Sequence, residues 1–273
     1  RNVAYEQNIS FPAIHVQVKI ASILSAYDDL IENNLKRIKL LEEMAQMIYR
    51  EWFVNFRFPG HEKIRMVDSP LGKIPEEWEV KKATDSIHFN PRIKVNRDAL
   101  KPHVDMKGLS ESSMMVEQTG EKTGSSGSKF QNGDTLFARI TPCLENGKTG
   151  FVQFLNNGQI GMGSTEFIVM RSIDLTPEYV YLLSRTNEFR GNAIKSMAGA
   201  SGRQRVQNGC FDKFMFAKPP QEILTNFSNI ATPMFGLIQE LSIKNSNLRN
   251  TRDLLLPKLI SGELDVEGMD IRI

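Results

Sequence analysis

Three residues of this 273-residue chain, Asp134, Glu145 and Lys148, are of the types that a metal-dependent nuclease uses. Their spacing argues against that chemistry. Lys148 follows Glu145 by three positions, whereas the alternation of a strand needs two to place both on one face. The stretch GSSGSK, Gly124 to Lys129, joins glycines to a lysine as phosphate-binding loops do. It has too few residues between its glycines, however, and no Ser or Thr after the lysine. His15, His61, His88 and His103 show no metal-ligand spacing, and Cys143 and Cys210 have no second pair, so they read as free thiols of a cytoplasmic protein. Asn90-Pro91-Arg92 bears only a passing likeness to the Asn-Pro-Pro-aromatic motif of adenine methyltransferases. No catalytic constellation emerges, and no residue set implies a metal or a cofactor.

The remaining chemistry is electrostatic. Formal net charge is only +2, but between Arg185 and Lys218 seven basic residues (Arg185, Arg190, Lys195, Arg203, Arg205, Lys213, Lys218) face two acids, Glu188 and Asp212. Such an excess is the footprint of a surface that meets phosphates. It is also what an ordinary solvated face looks like.

The elements that must position these residues are unusual. One kind of passage occurs twice, as FPAIHVQVKIASILSAYDDLIENNLKRIKLLEEMAQMIYREWF near the start and KPPQEILTNFSNIATPMFGLIQELSIKNSNLRNTRDLLLPKLISGEL near the end. At a shift of 207 positions Pro12 falls on Pro219, Ile23 on Ile230, Leu30 on Leu237, Ile31 on Ile238 and Leu41 on Leu248. Both copies carry apolar residues at steps of three and four, the spacing of a helix face turned to a partner helix. The first stripe reads Ile20, Ile23, Tyr27, Leu30, Asn34, Ile38, Leu41, Ala45, Ile48, Trp52; the second reads Ile223, Phe227, Ile230, Met234, Leu237, Leu241, Leu248, Leu255. Helices of roughly 35 residues are about 50 Å long, which predicts an antiparallel coiled coil. Asn34 on the stripe is a polar register-setter if it faces the partner, or exposed after a phase shift. Pro233 and Gly236 predict a bend, and Leu256-Pro257-Lys258-Leu259 should terminate the second helix.

Between the helices, LGKIPEEWEVKKATD opens a domain of different character. Strand-like stretches run over Asp134 to Ile140, Thr149 to Leu155 and Glu166 to Met170, separated by Asn-Gly turns, and helical pattern returns from Pro177 to about Ser196. GEKTGSSGSK reads as a mobile loop. The expected architecture is α+β: a globular mixed α/β domain over 59–218, flanked by helical regions over 1–58 and 219–273. No apolar run is long enough to span a bilayer.

Several blocks carry a family resemblance: EMAQMIYREWFVNFRFPGHEK with LGKIPEEWEV, ARITPCLENGKTGFV, GSTEFIVMR, GASGRQRV and LLLPKLISGELDV. Together they resemble the specificity subunit of type I restriction-modification enzymes over nearly the whole chain. The resemblance implies a non-catalytic subunit whose target-recognition domain reads part of a split DNA sequence. Its long helices would set spacing and dock the methyltransferase (modification) subunits, which bind S-adenosylmethionine, and an ATP-dependent restriction subunit. Full-length members carry two recognition domains, whereas this chain shows helix, one domain, helix. It is therefore either a half-size subunit that pairs with itself through the long helices or the distal half of a longer polypeptide. A stand-alone sequence-specific DNA-binding or scaffold protein is the alternative.

Within the domain, the loop holding Ser201, Arg203, Gln204 and Arg205 is expected to position duplex DNA rather than select its sequence. Arg139, Thr141 and Lys148 are placed for groove contacts or for a plain hairpin. Arg92, Lys94, Lys129 and Lys195 complete the set expected to bind DNA. Tyr49, Phe56 and Phe58 are expected to anchor a partner subunit, since aromatics are enriched at interface cores, while Trp52 and Phe53 read as rings sealing the helix against the domain. Lacking any motif for cofactor binding or base flipping, the isolated chain should not bind S-adenosylmethionine. Titration calorimetry checks this, and measurable binding would refute it.

Overall fold

The computed structural model describes residues 12–200, 202 and 204–268. Of the residues read above as contacting DNA, Ser201 and Arg203 lie outside the described residues. In chain order the elements are α1 (Ile14–Tyr49), β1 (Met66–Ser69), β2 (Gly72–Pro75), β3 (Glu79–Lys82), α2 (Ala83–Ser86), β4 (Ile87–Phe89), β5 (Lys101–Val104), β6 (Gly120–Lys122), β7 (Ser128–Phe130), β8 (Thr135–Ala138), β9 (Thr149–Phe151), β10 (Gly161–Gly163), β11 (Phe167–Ser172), α3 (Pro177–Arg185), α4 (Asn187–Lys195), β12 (Met215–Lys218) and α5 (Gln221–Ile260). The expected α+β class, two long helices flanking a sheet-containing middle, is what these elements form. The chain divides into two compact units, residues 1–39 with 240–273, and residues 40–239.

In the first unit α1 and α5 run antiparallel. Ile20 packs with Leu259 and Val266, Arg252 pairs with Asp28 at 2.5 Å, and Asn34 Nδ2 donates to Asn245 Oδ1 at 2.9 Å. The polar residue on the stripe therefore does face the partner. Ile20, Ile38, Ala45, Trp52, Phe227 and Leu241 of the expected stripe are buried, and it shifts by one position only in places. Ile31 is 7% exposed and Leu30 55%, while on α5 Leu224 and Ile238 are buried and Ile230 is exposed. The 3.5-residue period fits either phase where apolar residues are adjacent, and packing selects the one that keeps Asn34 opposite Asn245. Helix α5 continues through Pro233 and ends at Ile260, one residue past the Leu256–Leu259 stretch expected to terminate it. Pro233 and the residue four before it, Asn229, are both exposed, so the hydrogen bond that proline removes is lost from the exposed side of the helix.

In the second unit, two four-stranded sheets of order β6-β5-β10-β7 and β4-β11-β8-β9 enclose a core. It contains Val104, Leu109, Val116, Phe130, Leu136, Val152, Leu155, Phe167 and Val169. Only β5–β10 is parallel among the pairs of these sheets. The close approach of Phe130 requires glycine at 161, where a Cβ would stand 2.1 Å from the ring. After Tyr49 the helix widens into a π-helical turn, Arg50–Val54, which lets the consecutive rings of Trp52 and Phe53 both be buried. Helical pattern from Pro177 onward resolves into α3 and α4, because the Thr186 hydroxyl accepts from the Phe189 N–H and starts a new helix.

Asn245 is 1% exposed and its amide also donates to the Ile31 carbonyl. Asn34→Leu should lower unfolding free energy by about 1–3 kcal/mol, because it leaves the Asn245 carbonyl oxygen buried without its donor. The double variant Asn34→Leu/Asn245→Leu should recover most of that loss. Thermal denaturation followed by circular dichroism checks both, and an unchanged Asn34→Leu midpoint would contradict the packing argument.

Candidate nucleic-acid interface

Strand β8 and its partner β11 carry the residues around which the site forms. Their antiparallel register pairs Thr135 with Met170, Leu136 with Val169, Phe137 with Ile168 and Ala138 with Phe167. At one end Asp134, 1% exposed, accepts from Arg171 through both carboxylate oxygens at 2.7 Å and from the Gln131 N–H at 2.8 Å. Burial pushes the Asp134 carboxyl above its ordinary range, against the opposing pull of Arg171 and Gln131. Two parallel charge-assisted bonds nevertheless mark it as the ionised partner of the guanidinium. Asp134 is thus a structural anchor: Lys148 donates to the Met106 carbonyl at 3.1 Å and Glu145 is exposed. Among the described residues no group of three or more His, Cys, Asp or Glu side chains could hold a metal ion.

At the other end of the strand pair the chain opens into a cleft of about 490 Å³, lined by Asn90, Arg92, Ser128, Lys129, Arg139 and Thr165 among others. The lining brings together three of the cations expected to meet DNA and contains no carboxylate. Arg92 is exposed, on a segment where Arg92, Lys94 and Asn96 are exposed and Ile93 and Val95 half-buried, the period-two alternation of an extended chain. Lys129, on β7, donates to the Gly127 carbonyl at 3.1 Å. Gly127 itself has φ +96° and lies where a Cβ would meet the Gly163 carbonyl at 2.3 Å, so only glycine lets the lysine's strand start there. Lys94 lines a second, smaller cleft of about 260 Å³ with Asn96, Lys101 and Gln159.

The other expected residues lie elsewhere. Lys195 is exposed in the last turn of α4, where a cation suits the helix dipole. Thr141 donates its N–H to the Gln204 carbonyl at 3.1 Å, and Ala198 and Arg205 exchange backbone bonds at 3.0 Å across the base of the Gly-rich loop. The Arg205 guanidinium grips Glu166, Nε to Oε2 at 3.0 Å and Nη2 to Oε1 at 2.5 Å. Other cations of the basic run are likewise committed within the chain. Arg185 donates to Gly147 at 2.7 Å, Arg190 to Leu144 at 2.8 Å, and Lys218 pairs with Asp174. Four of the seven cations of the run, Arg185, Arg190, Arg205 and Lys218, are thus committed within the chain, whereas Arg92, Lys129 and Arg139 converge on the cleft from three separate segments.

The aromatic residues read as a partner anchor pack within this unit. The Tyr49 ring lies 5.1 Å from both Phe53 and Tyr179, Phe58 stacks on Trp78 at 5.6 Å, and Phe56 meets Trp78 edge-on at 5.1 Å. Tyr49 and Phe58 are each 4% exposed, Phe56 more so. Burial drives the Tyr49 and Tyr179 hydroxyls well above their ordinary pKa. No described helix is long and apolar enough to cross a membrane.

Comparison with solved structures places the fold among the specificity subunits. The type I restriction-modification S subunit from M. genitalium matches with a TM-score of 0.56 at 12% identity, over 90% of this chain and 61% of that one. In sequence, the chain is a relative of the specificity subunits of type I restriction enzymes, as its blocks suggested. It is 27% identical over 275 residues to the MjaIX specificity subunit of Methanocaldococcus jannaschii, covering 97% of this chain and 62% of that protein. It is 29% identical over 207 residues to the EcoEI specificity subunit of Escherichia coli, covering 72% of this chain and 34% of that protein. The chain thus spans between a third and about three fifths of the length of these relatives. No protein-family model matches it.

Removing Asp134 would leave the Arg171 guanidinium, 24% exposed, beside an apolar core without its counter-charge. Asp134→Ala should cost roughly 3–5 kcal/mol, seen as a fall in the urea midpoint. A loss under about 1 kcal/mol would mean that the pair is no anchor, since that is the range of exposed pairs.

Proposed function

We propose that this chain is a DNA sequence-recognition (specificity) subunit of a type I restriction-modification complex. It binds one part of a bipartite target, and it docks methyltransferase and restriction subunits that carry out the chemistry. The observation that carries the reading is the cleft in which Arg92, Lys129 and Arg139 converge with no carboxylate among the lining residues. Three cations around a concave surface attract a polyanion, and phosphate contacts of this kind supply affinity whatever the sequence. The kinship with specificity subunits supports the same reading. Exposed Arg92 and half-buried Lys129 suit sugar-phosphate contacts, as does exposed Lys195.

Affinity of the full chain for duplex DNA should fall steeply with salt. Arg92→Ala with Lys129→Ala should weaken binding to all sequences alike and reduce the slope of log K against log salt by about two, one for each phosphate left without its cation. An unchanged slope would move the phosphate-binding surface away from this cleft. For the assembly, a type I methyltransferase subunit should co-elute with the chain in gel filtration. If the two elute apart while DNA binding persists, the stand-alone DNA-binding protein becomes the better description.

A further inference from the structure

The guanidinium of Arg139 differs from the other cations of the cleft in being held rigidly. Its Nη2 donates to the Val206 carbonyl at 2.9 Å, and its Nε is buried without a hydrogen-bond partner among the described residues. Its backbone is fixed on both sides. The Arg139 N–H donates to the Glu166 carbonyl at 3.0 Å, and the Arg139 carbonyl accepts from the Val206 N–H at 2.9 Å. Val206 and Glu166 are in turn joined by one clamp. Arg205, the neighbour of Val206, grips the Glu166 carboxylate with two N–H donors, and its backbone bridges to Ile140 and Ala198. Arg205 and Val206 therefore brace Arg139 from behind.

A cation that follows a sugar-phosphate strand gains from mobility and exposure, and Arg92 is exposed. A residue that discriminates between bases needs the opposite, a fixed donor geometry. Of the five N–H donors of Arg139, one is committed to Val206 and the Nε donor is buried, so Nη1 and Nη2 keep three hydrogens between them, enough for the bidentate pair that guanine O6 and N7 accept. Resting on the function proposed above, we infer that Arg139 is a base-reading residue of this chain and takes guanine. Arg205 and Glu166 are then positioning residues that act through it, and Arg205 makes no phosphate contact of its own.

The test is selection of duplexes from a random-sequence pool by the full chain, followed by sequencing and by titration against salt. Wild type should select a motif containing guanine. Arg139→Ala should lose guanine preference at one position by roughly 5- to 100-fold, the range for one good bidentate pair, and keep the remaining motif and the salt slope. Glu166→Gln and Arg205→Ala should weaken preference at that same position and leave the slope unchanged, a readout that a merely structural role would not move. If Arg139→Ala fails to fold by circular dichroism, Arg139→Lys serves instead: a point charge without the planar fork should bind DNA with the same salt slope and a weakened guanine preference. Uniform weakening across all sequences with a flatter slope would make Arg139 a phosphate-binding residue and overturn the inference while the proposed function stands. A wild-type chain that binds DNA but selects no motif, or binds none, would overturn both.

Discussion

The buried pairing of Asp134 with Arg171 sets the register on which the rest of the second unit depends. One hydrogen-bonded ladder runs from that pair at one end to the bond between Arg139 and Glu166 at the other. Side chains alternate faces along a strand, so a slip of one residue would turn Leu136 and Val169 out of the core and Arg139 away from the cleft. Apolar contacts alone tolerate such slips where Leu, Phe, Ile, Val and Met follow one another, as they do along β8 and β11. A carboxylate that must meet one guanidinium does not.

The same division of labour appears in the helix pair. Burial of aliphatic residues draws α1 and α5 together, while the Asn34–Asn245 bond distinguishes one alignment from its neighbours. In both units a polar interaction of modest net energy selects among arrangements that the hydrophobic effect leaves nearly equal.

How much of this is legible in the sequence differs by element. The long helices and their pairing follow from apolar spacing, but the facing of Asn34 does not, since a phase shift would leave it exposed, and the expected stripe lies one residue out at Leu30, because Leu30 and Ile31 are equally apolar and only packing separates them. Strands β8 and β11 are visible in the sequence, but β6 and β7 are not. The stretch from Gly120 to Lys129, which by composition is a mobile loop, supplies β6 and most of β7 from Gly, Ser and charged residues that alternate no apolar face. Their pairing comes from β5 and β10, which a local window does not contain. The candidate site is legible in its residue types and not in its membership. A count of charge along the chain cannot register that Arg205 and Lys218 meet acids at 166 and 174, outside the basic run. Nor can it bring Arg92 beside Arg139.

The cleft's lining is drawn unevenly from the fold. The segment from Pro91 to Leu100 contributes no strand to either sheet, and its Arg92, Lys94 and Asn96 side chains are exposed. Beside it stands Gly127, where even one added carbon would strike the Gly163 carbonyl. Substitutions are therefore partitioned: drift in the first segment can alter what the surface meets while the sheets stay as they are, and drift at the second disturbs the fold before it reaches the surface. A surface built in this way can change its charge and its reach one side chain at a time.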